Sequence, residues 1–136
     1  MILYLKDGYV FEQNIAEEIH VSGNPSRLMR AVYNLIDNAV RHAGGDKWIG
    51  ITLKSENSKA VIEISDHGTG IPSEMLTHIW ERYYTSHQRG NKGISGLGLA
   101  IVKQIVIQHK GICFAESEAG KGSTFHIVLD KINLYK

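Results

Sequence analysis

The stretch DHGTGIP, residues 66–72, marks the point where the regular pattern of this sequence changes. Before it, residues 48–55 and 60–66 alternate as strands on either side of a turn at residues 56–58, which is typical of a β-hairpin. After it, the pattern that would build a core largely lapses as far as residue 97. Irregular segments longer than about 12–15 residues are uncommon in compact domains and usually carry function. The sequence therefore predicts a functional loop that begins at the end of a strand.

A helix is predicted on each side of this loop. The first starts at the signal Asn24-Pro25-Ser26 and ends at Gly44-Gly45, and the second spans residues 97–109 and stops before Gly111. The apolar residues of the first helix recur at helical spacing and form its core stripe: Leu28, Val32, Leu35, Ile36 and Ala39.

Further strands are predicted within residues 1–21 and over residues 112–117 and 124–129. This order of strands and helices indicates one layer of helices packed on one face of a sheet. A chain of 136 residues suits a single domain, and its 43% hydrophobic and 21% charged residues are ordinary for a globular one. Glycine is in excess, with 14 residues or about 10% of the chain against a usual 7%.

Charge and hydropathy exclude several classes of function. The formal net charge of +1 argues against a large nucleic-acid-binding surface. The longest apolar runs are too short to span a bilayer, and the N-terminus does not read as a signal peptide. The single Cys113 lies in an apolar run, which favours a small buried side chain over a reactive thiol. We expect a cytoplasmic domain that contacts neither nucleic acid nor membrane, whether or not the full-length protein is anchored in the cell membrane.

A polar stripe runs beside the core stripe of the first helix. Asn34, Asn38 and Arg41 stand at i, i+4 and i+7. Amides are poor helix-interior residues, an amide oxygen suits Mg²⁺ as a ligand, and an arginine suits phosphate. The stripe is either part of a binding site or an ordinary solvated helix face.

Two glycine-rich segments offer further candidates. A carboxylate at Asp66, with Gly68 and Gly70 beside it, could accept a hydrogen bond from an exocyclic amine; the alternative is an ordinary Asx-turn. Residues 90–99 are glycine-rich and lead into the second helix, and free N–H groups at a helix start bind anions. The basic residues just upstream either balance a polyphosphate or form a solvated loop: His87, Arg89 and Lys92.

Other phosphate and metal motifs are incomplete. Ile101 stands where a dinucleotide-binding fingerprint needs a small residue. Ala115 and Gly122 stand where a P-loop needs Gly and then Ser or Thr. The seven histidines and one cysteine show no zinc spacing.

Five motifs in chain order resemble the catalytic, ATP-binding domain of bacterial sensor histidine kinases, in the superfamily that also holds gyrase B, Hsp90 and MutL. They are NLIDNA at 34–39, DHGTGI at 66–71, IWERYY at 79–84, GLGLAIV at 96–102 and GKGSTF at 120–125. The resemblance covers nearly the whole chain. It implies an α+β fold class, the Bergerat two-layer α/β sandwich, with a mixed sheet, about three helices on one face and a mobile ATP lid at residues 72–95. It also implies that residues 1–136 form one such domain without its dimerisation and phosphoacceptor domain.

The same resemblance implies roles for individual residues. Asn38 would hold Mg²⁺ with catalytic support from Asn34, and Asp66 would bind the adenine amino group. Arg41 and His42 stand where the family usually has Lys and Tyr, and Trp80 replaces the usual Phe as a lid anchor. The expected ATP contacts are Asn34, Asn38, Arg41, His42, Asp66, Gly68, Gly70, Ile71, Arg82, Gly96, Leu97, Gly98, Leu99 and Thr124. Thr124 would lie near the base of the adenine pocket, and Arg82 or Arg89 would replace the Arg that is missing at Thr85.

The residue at position 34 bears on the reaction. The resemblance implies transfer of the γ-phosphoryl group of Mg-ATP to a histidine on a separate dimerisation domain, with a response regulator as a further partner. Hydrolytic members and the anti-sigma serine kinases carry Glu where this chain has Asn34, and an amide cannot take up a proton at neutral pH. Against this, residues 38–43 are reminiscent of the anti-sigma serine kinases. The alternatives are such a serine kinase, an ATPase module of a larger machine, and a non-enzymatic nucleotide sensor.

Overall fold

A computed structural model of the chain describes residues 7–82 and 98–133. Five strands form one sheet in the order β1-β2-β3-β5-β4, with β1 parallel to β2 and every other pair antiparallel. The strands are β1 Val10–Ile15, β2 Trp48–Glu56, β3 Lys59–Asp66, β4 Ile112–Glu118 and β5 Gly122–Asp130. The helices are α1 Pro25–Arg41 and α2 Gly98–Gln108, with a short 3-10 turn at Ser73–Met75.

The core lies on one face of this sheet. Ile64 of β3 and its register partner Phe125 of β5 are at most 2% exposed and pack with the buried side chains of both helices. Because side chains alternate along a strand, the residues that precede and follow each core residue on its own strand occupy the opposite, outer face of the sheet. The two-layer sandwich with a mixed sheet is therefore confirmed, although the described residues contain two α-helices and a 3-10 turn where about three helices were expected.

The N-terminus of α1 matches its predicted start signal. The Asn24 side chain accepts a hydrogen bond from the backbone N–H of Arg27 at 3.1 Å, and Pro25 occupies the first turn, where its missing N–H costs nothing. The helix then buries the predicted stripe over Ala31, Leu35 and Ala39.

The prediction that Gly44-Gly45 ends this helix is wrong. The helix ends at Arg41, and the backbone N–H of His42 donates to the Asn38 carbonyl at 3.1 Å. Gly44 has another purpose, since a Cβ placed on it would lie 2.1 Å from the His67 carbonyl oxygen. The absence of a side chain lets two backbone segments meet there.

Trp80, the expected lid anchor, is 8% exposed and packs the edge of its ring against Phe125 with 5.7 Å between centroids, so it belongs to the core.

Over the described residues, neither helix is both long and apolar enough to cross a bilayer.

Candidate functional site

Asp66 is the buried carboxylate at the end of β3. It shares the helix-facing side of that strand with Ile64, and only 4% of its surface is exposed. Its Oδ1 accepts the backbone N–H of Gly68 at 2.8 Å. Burial raises the pKa of Asp66, and hydrogen bonds from the backbone N–H groups of Gly68 and Ser123 oppose that shift. The result is an oriented hydrogen-bond acceptor at the boundary between the sheet and the helices.

Close backbone packing holds this carboxylate in place. A Cβ on Gly68 would lie 1.9 Å from the His42 carbonyl oxygen, at the end of α1. A Cβ on Gly122 would lie 2.0 Å from the carbonyl oxygen of Asp66, and its φ of +119° also favours glycine. These glycines thus serve close contacts between backbone segments.

The β4–β5 hairpin ties down the rest of the loop. The N–H of Ile71 donates to Ser117 Oγ at 2.6 Å, and the N–H of Gly120 donates to the Thr69 carbonyl at 2.8 Å. Gly70 has a φ of +83°, and a Cβ there would lie 2.5 Å from a carbonyl of the same hairpin. Ser117 was not singled out in the sequence, because nothing local distinguishes it from other strand serines.

The amide stripe on α1 connects this loop to the start of α2. Asn34 Nδ2 donates to the carbonyl of Gly98 at 3.3 Å, and His42, two turns further along, lies in the electrostatic field of Asp66. Asn38 stands between them and is half-buried. The helical rise makes the distance from Asn34 to His42 about 12 Å. Along one side of α1, the structure thus brings together five of the predicted residues: Asn34, Asn38, His42, Asp66 and Gly98.

The electrostatic state of His42 suits a neutral contact. Loss of surrounding water lowers the pKa of His42, Asp66 opposes that shift, and Arg41 adds to it. The uncharged ring therefore predominates at neutral pH. It can offer one donor and one acceptor beside Asp66.

The remaining predicted ligand contacts lie partly on the surface, partly against the core and partly outside the described residues. Arg41 is exposed and forms an i,i+4 ion pair with Asp37, Nε to Oδ2 3.0 Å, and Arg82 is exposed. Ile71 and Leu99 are partly buried against the core cluster. Gly96, Leu97 and the lid residues 83–95, including Thr85 and Arg89, lie outside the described residues.

Thr124 does not lie on the same side as Asp66, where the resemblance implies a position near the base of the adenine pocket. It pairs with Ser65 in register, and the two hydroxyl oxygens are 2.8 Å apart on the outer face of the sheet. Ser123 is the register partner of Asp66, and it shares the helix-facing side with Phe125. Successive side chains of a strand point to opposite faces, so Thr124, which directly precedes the core residue Phe125, is expected on the outer face.

A cavity of about 420 Å³ lies beside Thr124. Its lining includes Trp48, Ser65 and Lys121. Since Trp48 and Ser65 alternate with the core residues Ile49 and Ile64, this cavity opens on the outer face of the sheet. Asp66 and Ser123 also border it, so it adjoins the end of β3 from the side opposite α1.

The packing at Gly68 yields a testable expectation. Gly68→Ala should lower the free energy of unfolding by about 1–3 kcal/mol, because the added methyl collides with the carbonyl of His42. Gly45→Ala is the matched control, since a Cβ there meets no atom within 4 Å. Urea unfolding of both variants measures the difference, and equal stabilities would contradict the close packing described for this loop.

Comparison with known proteins identifies the family to which this chain belongs. The family model described as "Histidine kinase-, DNA gyrase B-, and HSP90-like ATPase" matches residues 23–133. The sensor histidine kinase RppB of Synechocystis sp. is 42% identical over 114 residues, which cover 82% of this chain and 25% of RppB. The chain thus spans about a quarter of the length of that relative.

Two solved structures share the fold. The mycobacterial sensor histidine kinase MprB matches with a TM-score of 0.85 and 30% identity, covering 98% of this chain and 94% of that one. Full-length ShkA in complex with AMPPNP matches with a TM-score of 0.82 and 20% identity, covering 96% of this chain and 27% of that one. Strand β1 lies outside the residues matched by the family model but extends the same sheet.

Proposed function

Because the chain belongs to the family of histidine kinase-, DNA gyrase B- and HSP90-like ATPases, and its relatives are sensor histidine kinases, we propose that residues 1–136 form one ATP-binding catalytic domain. It binds Mg-ATP along α1 and delivers the γ-phosphoryl group to a histidine on a separate dimerisation domain. A response regulator is the expected receiver downstream of that histidine.

The observation that carries this proposal is the path along α1. At one end, the buried Asp66 offers an acceptor for the adenine amino group. At the other end, Asn34 holds the first turn of α2, whose free N–H groups and dipole suit phosphate. A Cβ on Gly98 would meet no described atom within 4 Å. One elongated molecule with an amine at one end and phosphates at the other fits this path.

The donor set also bears on the metal. In the part of the chain that the structure describes, no group of three or more His, Cys, Asp or Glu side chains could hold a metal ion. The Asn38 side chain makes no hydrogen bond to any other described residue, so its amide oxygen is available. Mg²⁺ commonly takes few protein ligands and completes its shell with substrate phosphates and water. Asn38 together with the phosphates of ATP therefore fits Mg²⁺, which would neutralise charge on those phosphates.

The proposed reaction needs positioning more than covalent chemistry by the protein. A neutral imidazole nitrogen of the acceptor histidine attacks the γ-phosphorus, and the bond to the β–γ bridging oxygen breaks, so that ADP leaves. Asp66 and His42 hold the base end of the nucleotide, and Asn34 and Asn38 define the phosphate end. Fixing both ends supplies the orientation that makes attack by a docked histidine productive.

Position 34 supports transfer over hydrolysis. Its amide donates to the Gly98 carbonyl, which an ionised Glu, having only acceptors, cannot do. An amide also cannot accept a proton from water at neutral pH. The anti-sigma serine kinase alternative shares residues 38–43 in outline, but the relatives described above are sensor histidine kinases.

The metal assignment is tested by Asn38→Ala. We expect this variant to lose Mg²⁺-dependent ATP binding in calorimetry, and labelled phosphoryl transfer to a supplied dimerisation domain should be lost with it. Asn14→Ala, an exposed amide on β1, is the matched control and should behave like the wild type. Unchanged ATP affinity in Asn38→Ala would show that another residue holds the metal, and wild-type labelling of serine in place of histidine would favour the serine kinase.

The adenine assignment is tested by Asp66→Asn. The amide should weaken ATP binding by about tenfold or more, because a charged acceptor for the amino group is replaced by a neutral one. Binding of inorganic triphosphate should not change. Burial raises the pKa of Asp66, so the ionised carboxylate destabilises the folded domain at neutral pH, and protonation removes that cost as the pH falls. Asp66→Asn carries no such charge, so this variant should keep the wild-type unfolding temperature at pH 7. Equal losses for ATP and triphosphate would contradict the adenine role.

A further inference from the structure

His67 directly follows the adenine-reading carboxylate and points to the other side of the sheet. Asp66 faces the helices, whereas the His67 ring stacks on Trp48 of the outer face, with centroids 4.0 Å apart and planes 6° apart. His67 Nδ1 is also 2.7 Å from Asp46 Oδ2 in the α1–β2 loop. Adjacent residues are thus anchored on opposite faces of one strand end.

The two partners of the His67 ring, Asp46 and Trp48, are themselves fixed by several contacts. Asp46 Oδ1 accepts the backbone N–H of Trp48 at 3.1 Å, and the hydrogen bond with His67 lowers the pKa of Asp46 and keeps it ionised. Trp48 Nε1 donates to Glu12 of β1 at 2.9 Å. A Cβ on Gly50 would lie 2.6 Å from the indole, so the ring rests on the sheet at that glycine. The stack therefore presents His67 with a rigid surface.

The backbone between Asp66 and His67 has little room to move. Gly44 approaches the His67 carbonyl closely, and Gly122 approaches both the Asp66 carbonyl and the His67 Cα, where an added Cβ would lie 2.9 Å away. These contacts close the helix side and the hairpin side. The His67 side chain holds the remaining, outer side, so a turn of the backbone that carries the Asp66 side chain would also pull the His67 ring off Trp48.

We propose that His67 is a positioning residue, which fixes the direction of the Asp66 carboxylate from the outer face of the sheet and thereby sets the preference for adenine over guanine. This inference rests on the proposed function. Adenine presents an exocyclic amine donor where guanine presents a carbonyl acceptor, so a fixed carboxylate attracts one base and repels the other. A carboxylate that can turn away loses the attraction to adenine and also the repulsion of guanine.

The test compares His67→Ala with His67→Phe and with His20→Ala as a control. Phe retains an aromatic ring for the stack and loses only the bond to Asp46. His20 is a loop histidine with an exposed side chain, whose ring lies 3.7 Å from Glu18. Calorimetric titration with Mg-ATP and with Mg-GTP gives the ratio of the two affinities, and thermal unfolding reports the state of the fold.

We expect His67→Ala to lower ATP affinity by about tenfold, as for weakening one hydrogen bond to a charged group, while GTP affinity stays level or rises. The ratio for His67→Phe should lie between those of His67→Ala and the wild type, and His20→Ala should match the wild type. This comparison keeps the test decisive if His67→Ala does not fold.

Two results would overturn the role of His67. One is a wild-type preference for ATP that survives both substitutions in folded protein. The other is an equal loss of ATP and GTP affinity, which would indicate general damage to the site. A wild-type chain without any preference for ATP would instead contradict the adenine role of Asp66, and with it the proposed function.

Discussion

Close contact between backbones at the end of β3 is the constraint on which the rest of this site depends. The loop after Asp66 touches the end of α1 through Gly68 and Gly44 and touches the β4–β5 hairpin through Gly122. A side chain at any of these glycines would force two segments apart. Since the same segments carry His42, Asp66 and Ser123, the packing that closes the sheet against the helix also places the polar groups.

The electrostatics of the site follow from this packing. A carboxylate with 4% exposure is costly, and backbone N–H groups of Gly68 and Ser123 offset part of the cost. An exocyclic amine of a bound base would offset more. At the other end of α1, the amide of Asn34 joins the two helices by donating to Gly98, and it cannot serve as a base. The arrangement suits binding and presentation of a nucleotide more than activation of water.

Much of the fold was predictable, because helix and strand periods are local signals. The Asn24 cap, the apolar stripe of α1 and the alternation that places Ile64 in the core all appear in the sequence and in the structure. Contacts between distant backbones leave no such signal, so the contact of Gly44 with the His67 carbonyl is not predictable and its sequence position resembles a helix stop. Thr124 differs, because the resemblance implies a place near the adenine pocket whereas strand alternation puts Thr124 on the face opposite Phe125. Ser117 and the stack of His67 on Trp48 depend on strand pairing, which a single sequence does not display.

In the proposed complex, ATP lies on the helix side of the sheet, between Asp66 and the start of α2. A crystal structure of the chain with Mg²⁺ and a non-hydrolysable ATP analogue tests this most directly. We expect the adenine amino group within hydrogen-bond distance of the Asp66 carboxylate, the phosphates at Gly98, and the metal on Asn38. An analogue bound on the outer face of the sheet, beside Trp48 and Thr124 and away from Asn38 and Gly98, would contradict this placement.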